Sequence, residues 1–317
     1  MIGIRVIQPG ILSLLQDQGR FGLHSIGLTT GGPMDKKAFR WANRLCDNRA
    51  DCATLEITVG GLSLESEIHS WIAVTGADTA LSINRKPVAL WQSHPIAPGD
   101  RIDLGYATCG SRNYLAVAGG FQSQACFNSQ STVTRERLGG LHQDGTALQA
   151  GDALPCSDMG QPKHLLRLPS ALLPKVGTEE TALRVVLGYQ QDAFTSLQKQ
   201  LFFSSQYSIT ESSDRMGYRL QGPAIKPAID GILSEGICLG AIQVPADGQP
   251  IVLLSDRQTI GGYPKLGSVL SLDLDRLAQQ LPGSQINFKP ISIEQAHNAL
   301  LLDEQQFLNT QLEVIHV

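Results

Sequence analysis

Short runs rich in aliphatic and β-branched residues recur along the chain between turn signals. The early ones are Gly3–Ile7, Leu62–Glu65, Trp71–Thr75, Ala80–Ile83, Arg101–Leu104 and Tyr114–Ala118. Later come Leu183–Leu187, Tyr207–Thr210, Ile251–Leu254 and Gln285–Phe288. Many short strands at a spacing of roughly ten residues point to barrels or sandwiches. Ala97-Pro98-Gly99-Asp100 reads as a turn feeding the run from Arg101, and Leu148-Gln149-Ala150-Gly151-Asp152 repeats it before Ala153-Leu154. Helical spacing is confined to four places. Pro33–Leu45 sets Phe39, Ala42 and Leu45 roughly on one face, with Pro33 near its first turn. Asp192–Phe203 is a second, and Asp273–Leu281, stopped by Pro282-Gly283, a third. Ser292 and Gln295 form a capping-box pattern for a helix running towards Leu302. The expected fold class is mainly β with a few helices.

Pro155–Thr181 is rich in proline and leucine and lacks a regular pattern. A connection is therefore expected at 161–182, leaving a β-barrel-type half at 1–160 and a second half at 183–317. A faint internal echo supports two halves. Leu15-x-Asp17, Gly22, Gly27 and Asp35 precede one short helix, and Leu254-x-Asp256, Gly261, Gly267 and Asp273 precede another.

Composition narrows the function classes. The 317 residues are 42% hydrophobic and 17% charged, with a formal net charge of -4. That surface gives no electrostatic reason to bind nucleic acid or an anionic membrane. The apolar runs are too short to span a bilayer. Met1–Gly10 lacks the pattern of a signal peptide, so the expected localisation is cytoplasmic. Six cysteines and seven histidines are scattered without metal-ligand spacing, so free thiols and no structural metal are expected.

Four segments concentrate polar residues beside glycines: Gln16–Gly22, Gly31–Asp35, Asp214–Leu220 and Ser255–Lys265. Each sets a carboxylate near a basic residue or a glycine pair. Glycines let a backbone approach a ligand closely, and arginine matches carboxylate or phosphate oxygens. Taken singly, pairs such as Asp17/Arg20 and Asp256/Arg257 are ordinary turn residues and surface ion pairs. Glu56 and Glu235 sit in apolar or small surroundings, where a carboxylate must be paired or carry a raised pKa. No P-loop, no G-x-S-x-G elbow and no Met-Lys-Met biotin attachment occurs.

These stretches carry a resemblance. Leu15–Gly22, Gly32-Pro33-Met34-Asp35, Ala42–Leu45, Leu55-Glu56, Tyr114–Gly120, Asp214–Leu220, Ser234–Gly236, Gly240–Pro245, Gly248–Pro250 and Asp256–Pro264 follow in order. The chain resembles the family of KipA and the 5-oxoprolinase C subunits, also called allophanate hydrolase subunit 2-like or biotin-dependent carboxyltransferase-like proteins. The resemblance implies cyclophilin-like barrel architecture. It also implies a KipI-like protein and a LamB/YcsF-like protein as the partner subunits, and ATP shared with them. Asn128-Ser129-Gln130-Ser131-Thr132 departs from the usual glycine-serine-arginine-serine-threonine run, which puts an anion contact there in doubt.

Three functions follow as expectations. The first is a subunit of ATP-dependent 5-oxoprolinase, active only in complex. The second is a carboxyltransferase or allophanate hydrolase-type component that acts on urea or a related amide. The third is a KipA-like regulatory protein controlling a sensor-kinase inhibitor. For the first, cations would hold phosphate and a carboxylate would steer water. Asp17, Glu56, Glu235 and Asp256 are the candidate catalytic residues. Arg20, Asp35, Arg215, Gln243, Arg257, Gln258, Thr259, Tyr263 and Lys265 are the candidate ligand-binding residues. Asp256–Lys265 is expected to line the site, with Arg257→Ala sparing the fold.

Overall fold

A computed structural model describes residues 3–174, 181–229 and 231–315. The chain forms two compact units. The first comprises residues 1–20, 31–177 and 311–317, and the second comprises 21–30 and 178–310. The division is thus not the pair of contiguous halves expected from composition. Residues 21–30 belong to the second unit and the C-terminal strand Glu313–Ile315 to the first.

Unit one is built on a curled nine-stranded antiparallel sheet. Its strands are β1 (Gly3–Pro9), β2 (Leu12–Gln16), β3 (Thr54–Thr58), β4 (Gly60–Ser66), β5 (Ser70–Ile83), β6 (Lys86–Val88), β7 (Ser93–Ile96), β8 (Arg101–Val117) and β9 (Ala153–Pro155). The order runs β2-β3-β8-β4-β1-β9, with β5 on β6, β7 and β8. Trp71–Thr75 and Ala80–Ile83, read as separate strands, are one strand, as are Arg101–Leu104 and Tyr114–Ala118 as far as Val117. The β5–β8 register shifts three times between Gly76 and Leu81. Such bulges carry a bent strand through a glycine that looks like a turn. Gly76 has φ +107°, and a Cβ there would meet the Arg112 carbonyl oxygen at 2.2 Å. The two like turns fold alike: Asp100 N–H donates to Ala97 O and Asp152 N–H to Gln149 O. The Asp100 and Asp152 carboxylates in return accept from Ala97 N–H and Gln149 N–H. Ile4, Leu55, Ile57, Leu64, Ile72, Val74, Leu115 and Val117 form the core of this unit.

Helix α1 (Lys36–Leu45) starts later than Pro33. Asp35 caps it by accepting from Ala38 N–H at 2.8 Å, which removes one of its orphan donors. The proline-rich stretch is not wholly irregular. It supplies β10 (Leu165–Arg167), paired with Glu313–Ile315. Residues 175–180 of the expected connection lie outside the described residues.

Unit two contains a closed seven-stranded barrel. Its strands are β11 (Thr181–Leu187), β12 (Gln206–Ile209), β13 (Gly217–Gln221), β15 (Ala241–Gln243), β16 (Ile251–Leu253), β18 (Lys265–Val269) and β19 (Gln285–Pro290). In addition, β14 (Glu235–Gly236) pairs with β17 (Ile260–Gly261). Helix α2 (Ser196–Ser204) begins at the Thr195/Gln198 capping box, four residues after the expected Asp192. Its buried Phe202 stacks on Phe288 with centroids 4.5 Å apart. Helix α3 (Ser271–Ala278) holds Asp273, whose carboxylate takes the Arg184 guanidinium and backbone N–H. Helix α4 (Ile293–Asn309) starts at the expected Ser292/Gln295 capping box. The fold is therefore mainly β, as the patterning predicts.

Candidate functional site

In unit one the candidate carboxylates are committed to structure. Asp17 follows β2 directly. Its Oδ1 accepts from Gly19 N–H (2.9 Å), Ser129 Oγ (2.6 Å) and Ser131 Oγ (2.6 Å), and its Oδ2 from Gln130 N–H (2.6 Å). Arg20 is 1% exposed and donates to the Cys126 and Ser131 carbonyls. Both residues thus clamp the 126–131 loop. The loop without the family's arginine spends its serines on Asp17.

Glu56, on β3 and fully buried, lies directly across from Tyr114 on β8. Its Oε2 accepts from Tyr114 Oη (2.6 Å) and Met34 N–H (2.9 Å), and Arg112 Nε stands 4.0 Å from Oε1. Tyr114 Oη accepts from Asp35 N–H at 2.8 Å. Burial, then the nearby Glu56 and Asp35 charges, pushes the Tyr114 phenol well above its ordinary value. Glu56 anchors the Gly31–Met34 turn, and Asp35 is a helix cap. Asp17, Glu56 and Asp35 are thus all buried, each with a carboxylate engaged by the bonds described.

In unit two, Asp256 pairs with Arg215 and not with its neighbour Arg257. Arg215 Nε donates to Oδ2 at 2.8 Å and Nη2 to Oδ1 at 2.9 Å, with the side chains 10% and 5% exposed. This buried fork is a brace between the Asp214–Gly217 turn and the loop after β16. Arg257 instead donates from Nε to Ile237 O (3.2 Å) and from Nη1 to Leu254 O (3.4 Å). Thr29 Oγ1 donates to the Arg257 carbonyl at 2.7 Å. Arg257→Ala would thus remove two backbone anchors.

A second cluster is open to solvent. Glu235 on β14 is 33% exposed in its side chain, against 5% or less for Asp256 and Glu56. Lys265 Nζ and Tyr189 Oη both bond to Glu235 Oε1, and Gln190 Nε2 joins them at 2.8 Å. Gln190 Oε1 accepts from Lys265 N–H at 2.9 Å, so one glutamine holds both partners. The Lys265 contact first, then Tyr189, holds the Glu235 carboxyl below its ordinary pKa. Lys265 Nζ lies 5.8 Å from the centre of the Tyr189 ring.

Sheet register relates the rest as two opposed pairs in two separate ladders. Opposed residues in an antiparallel ladder project to one side. Glu235 opposes Gly261, and Gln243 opposes Lys265. A Cβ on Gly261 would lie 2.5 Å from Ile237 Cδ1, 2.6 Å from Gln243 Nε2 and 3.3 Å from Gln258 Nε2. The bare glycine is thus packed closely by two amides and an isoleucine, which leave no room for a side chain. Gln243 is 1% exposed, and its Nε2 has no hydrogen-bond partner among the described residues. A buried amide donor left unmatched costs about 1–3 kcal/mol, so it marks a place for an acceptor. Thr259 is buried and its carbonyl accepts from Ile237 N–H. Tyr263 is 45% exposed and follows Gly262, whose carbonyl accepts from Ile232 N–H. Sequence reading missed Tyr189 and Gln190, which have no motif of their own and reach Glu235 from 46 and 45 residues away.

A seven-stranded barrel and a curled half-barrel sheet, with this polar cluster, define the class. Residues 26–290 match the carboxyltransferase domain, subdomain A and B. The chain is 35% identical over 297 residues to the C subunit of 5-oxoprolinase from Haemophilus influenzae, covering 92% of this chain and 93% of that protein. It is equally 35% identical over 305 residues to the C subunit of 5-oxoprolinase from Escherichia coli, covering 96% of each. The crystal structure of the K. lactis urea amidolyase matches with TM-score 0.89 at 28% identity, over 98% of this chain and 20% of that one. The chain thus spans about a fifth of that larger protein. It belongs to the carboxyltransferase-domain family, and 5-oxoprolinase C subunits are among its relatives. No helix of the described residues is long and apolar enough to cross a membrane.

Proposed function

We propose that the chain is the C subunit of an ATP-dependent 5-oxoprolinase. It would open 5-oxo-L-proline to L-glutamate together with a KipI-like protein and a LamB/YcsF-like protein as the other two subunits. The names of its two bacterial relatives support the reaction. The observation that carries the reading is the pairing of Glu235, the one candidate carboxylate with a third of its side chain in solvent, with the unmatched Gln243 donor across Gly261. A lactam has a carbonyl oxygen and an N–H on one edge. Gln243 Nε2 would donate to the oxygen, and Glu235 Oε2, which carries none of the three bonds at Oε1, would accept from the ring N–H or from the attacking water. In the opening step the lactam oxygen would carry the phosphoryl group of ATP, delivered by the partner subunits. The water oxygen bonds to the lactam carbon, the C–N bond breaks to leave a carboxyl phosphate, and a second water releases the phosphate. Glu235 takes the proton from water and returns it to the leaving nitrogen. Lys265 and Tyr189 keep the carboxylate ionised and oriented.

ATP supplies the driving force of this reaction. A triphosphate needs several converging donors, and this site does not offer them. Lys265 is held by Glu235 and Arg215 by Asp256, so ATP use is assigned to the partner subunits. The likeness to urea amidolyase favours a second reading, carboxyl transfer to urea, for which a separate biotin carrier would be required.

The test is 5-oxoproline-dependent ATP hydrolysis by this chain alone and after mixing with the two partners. Turnover is expected only in the mixture. Full turnover by the lone chain, or equal turnover by the partners without it, would count against the assignment.

Gly261→Ala offers a steric check. The added methyl would push Ile237 Cδ1 and Gln243 Nε2 aside, and both are ends of flexible side chains. Overpacking of this kind costs about 1–3 kcal/mol. A drop in Tm of a few degrees and a KM for 5-oxoproline raised about tenfold or more are expected. An unchanged KM in a folded variant would remove Gly261 and its two neighbours from the site.

A further inference from the structure

Tyr189 and Gln190 are consecutive, yet both side chains reach the same carboxylate oxygen, Glu235 Oε1. On a strand, successive side chains point to opposite faces. Here β11 has ended at Leu187, and Gln191 N–H donates to Gly188 O at 3.1 Å, closing a turn with Tyr189 and Gln190 at its corner. Gln190 has φ -91° and ψ 7°, the values that the third residue of a type I turn adopts. The turn is pinned on both sides. Gly188 N–H donates to Leu266 O on β18 at 3.0 Å, and Ala193 N–H donates to Gln190 O at 3.0 Å. Gln190 is half-buried and stands on a fixed backbone.

The Gln190 amide makes three contacts. Nε2 donates to Glu235 Oε1 at 2.8 Å and to Tyr189 Oη at 3.3 Å, and Oε1 accepts from Lys265 N–H at 2.9 Å. This amide fits one way round. Turned over, its oxygen would face the carboxylate and its NH2 group a backbone N–H. Lys265 Nζ and Tyr189 Oη also bond to Glu235 Oε1, so three donors converge on one oxygen. None among the described residues bonds to Oε2. The last torsion of a glutamate is broad and two-fold, and an ammonium with three donors serves either carboxylate oxygen. Lys265 and Tyr189 by themselves therefore do not choose between the two oxygens. Gln190 does, because its own orientation is set by the Lys265 backbone.

We propose that Gln190 is the positioning residue of the Glu235 site. Its amide fixes Oε1 against Lys265 and Tyr189 and leaves Oε2 as the oxygen that takes the proton. The proposal rests on the reading of Glu235 as the base.

The test is turnover of 5-oxo-L-proline against pH by the assembled enzyme, with Gln190→Ala, Gln190→Glu or Glu235→Gln in this chain. Gln190→Ala frees the carboxylate to turn. It is expected to lower kcat about 10–100-fold while KM changes less than about threefold. Gln190→Glu keeps an acceptor for Lys265 N–H but sets a second carboxylate beside Glu235. A like charge disfavours ionisation, so the acid limb of kcat/KM should move up by on the order of one pH unit. Lys265 and Tyr189 are the titratable groups that face Glu235, and both variants keep them. Should Gln190→Ala not fold, Gln190→Glu decides alone. Near-normal kcat in Gln190→Ala, or an unmoved acid limb in Gln190→Glu, would overturn the proposal when Glu235→Gln is inactive. Near-normal turnover by Glu235→Gln is the separate failure: it would remove the base itself, and the proposal with it.

Discussion

Glu235→Gln in the assembled enzyme is expected to lower kcat by about 10²–10³-fold, the scale on which removal of one oriented transition-state contact acts. Stability should change little. The Glu235 side chain is one-third exposed, and a solvent-screened ion pair is worth roughly 0–1 kcal/mol. Glutamine keeps an oxygen for Tyr189 and Gln190, so the loop should hold its place. The pH profile gives a second readout. A carboxyl held low by Lys265 stays ionised above the ordinary glutamate value of about 4.3, so the base form persists as pH falls to that point and is lost only below it. The wild-type acid limb should therefore lie below the usual glutamate range. A folded Glu235→Gln enzyme with near-normal kcat would remove this residue from the chemistry.

Asp256→Ala is expected to behave in the opposite way. The Arg215–Asp256 fork is buried on both sides, and removing Asp256 leaves a desolvated arginine without this carboxylate. Breaking such a pair costs about 3–5 kcal/mol, a large share of the stability of a domain. Urea denaturation should show that loss, while the enzyme that remains folded should retain most of its kcat. A cost below about 1 kcal/mol, or an intact fold with abolished turnover, would make Asp256 a catalytic candidate again.

The contrast between these two carboxylates shows where sequence reading stops. Both stand beside basic residues or glycines, and nothing local separates them. Asp256 is decided by Arg215, 41 positions away, and Glu235 by Tyr189, Gln190 and Lys265. Those pairings depend on barrel register, which is a property of the closed sheet. The mainly β character was legible because strand periodicity is local, and so was the Ser292/Gln295 helix start, because a capping box is contained within four residues. Helix starts at Pro33 and Asp192 were misplaced for the same reason in reverse: Asp35 and Thr195 compete as caps, and the true cap is fixed by its hydrogen bond to the N3 backbone. The splitting of β5 and β8 failed where bulges let a single strand pass through glycines.

The candidate site was legible as a segment and not as a geometry. Asp256–Lys265 does contribute Gln258, Gly261 and Lys265 to the open cluster, but its first two charged residues act as braces. Gln243 entered as a residue of a matching stretch. Only the structure shows its amide buried without a partner at the one place where residue 261 has no side chain.

The central assignment is tested most directly by product analysis on the enzyme assembled from this chain and its two partners. The assembly is supplied with ATP and either 5-oxo-L-proline or urea, the urea arm including a biotinylated carrier and bicarbonate. Glutamate and phosphate released together from 5-oxoproline, with no turnover of urea, are the expected result. Carboxylation of urea with no glutamate formed from 5-oxoproline would contradict it.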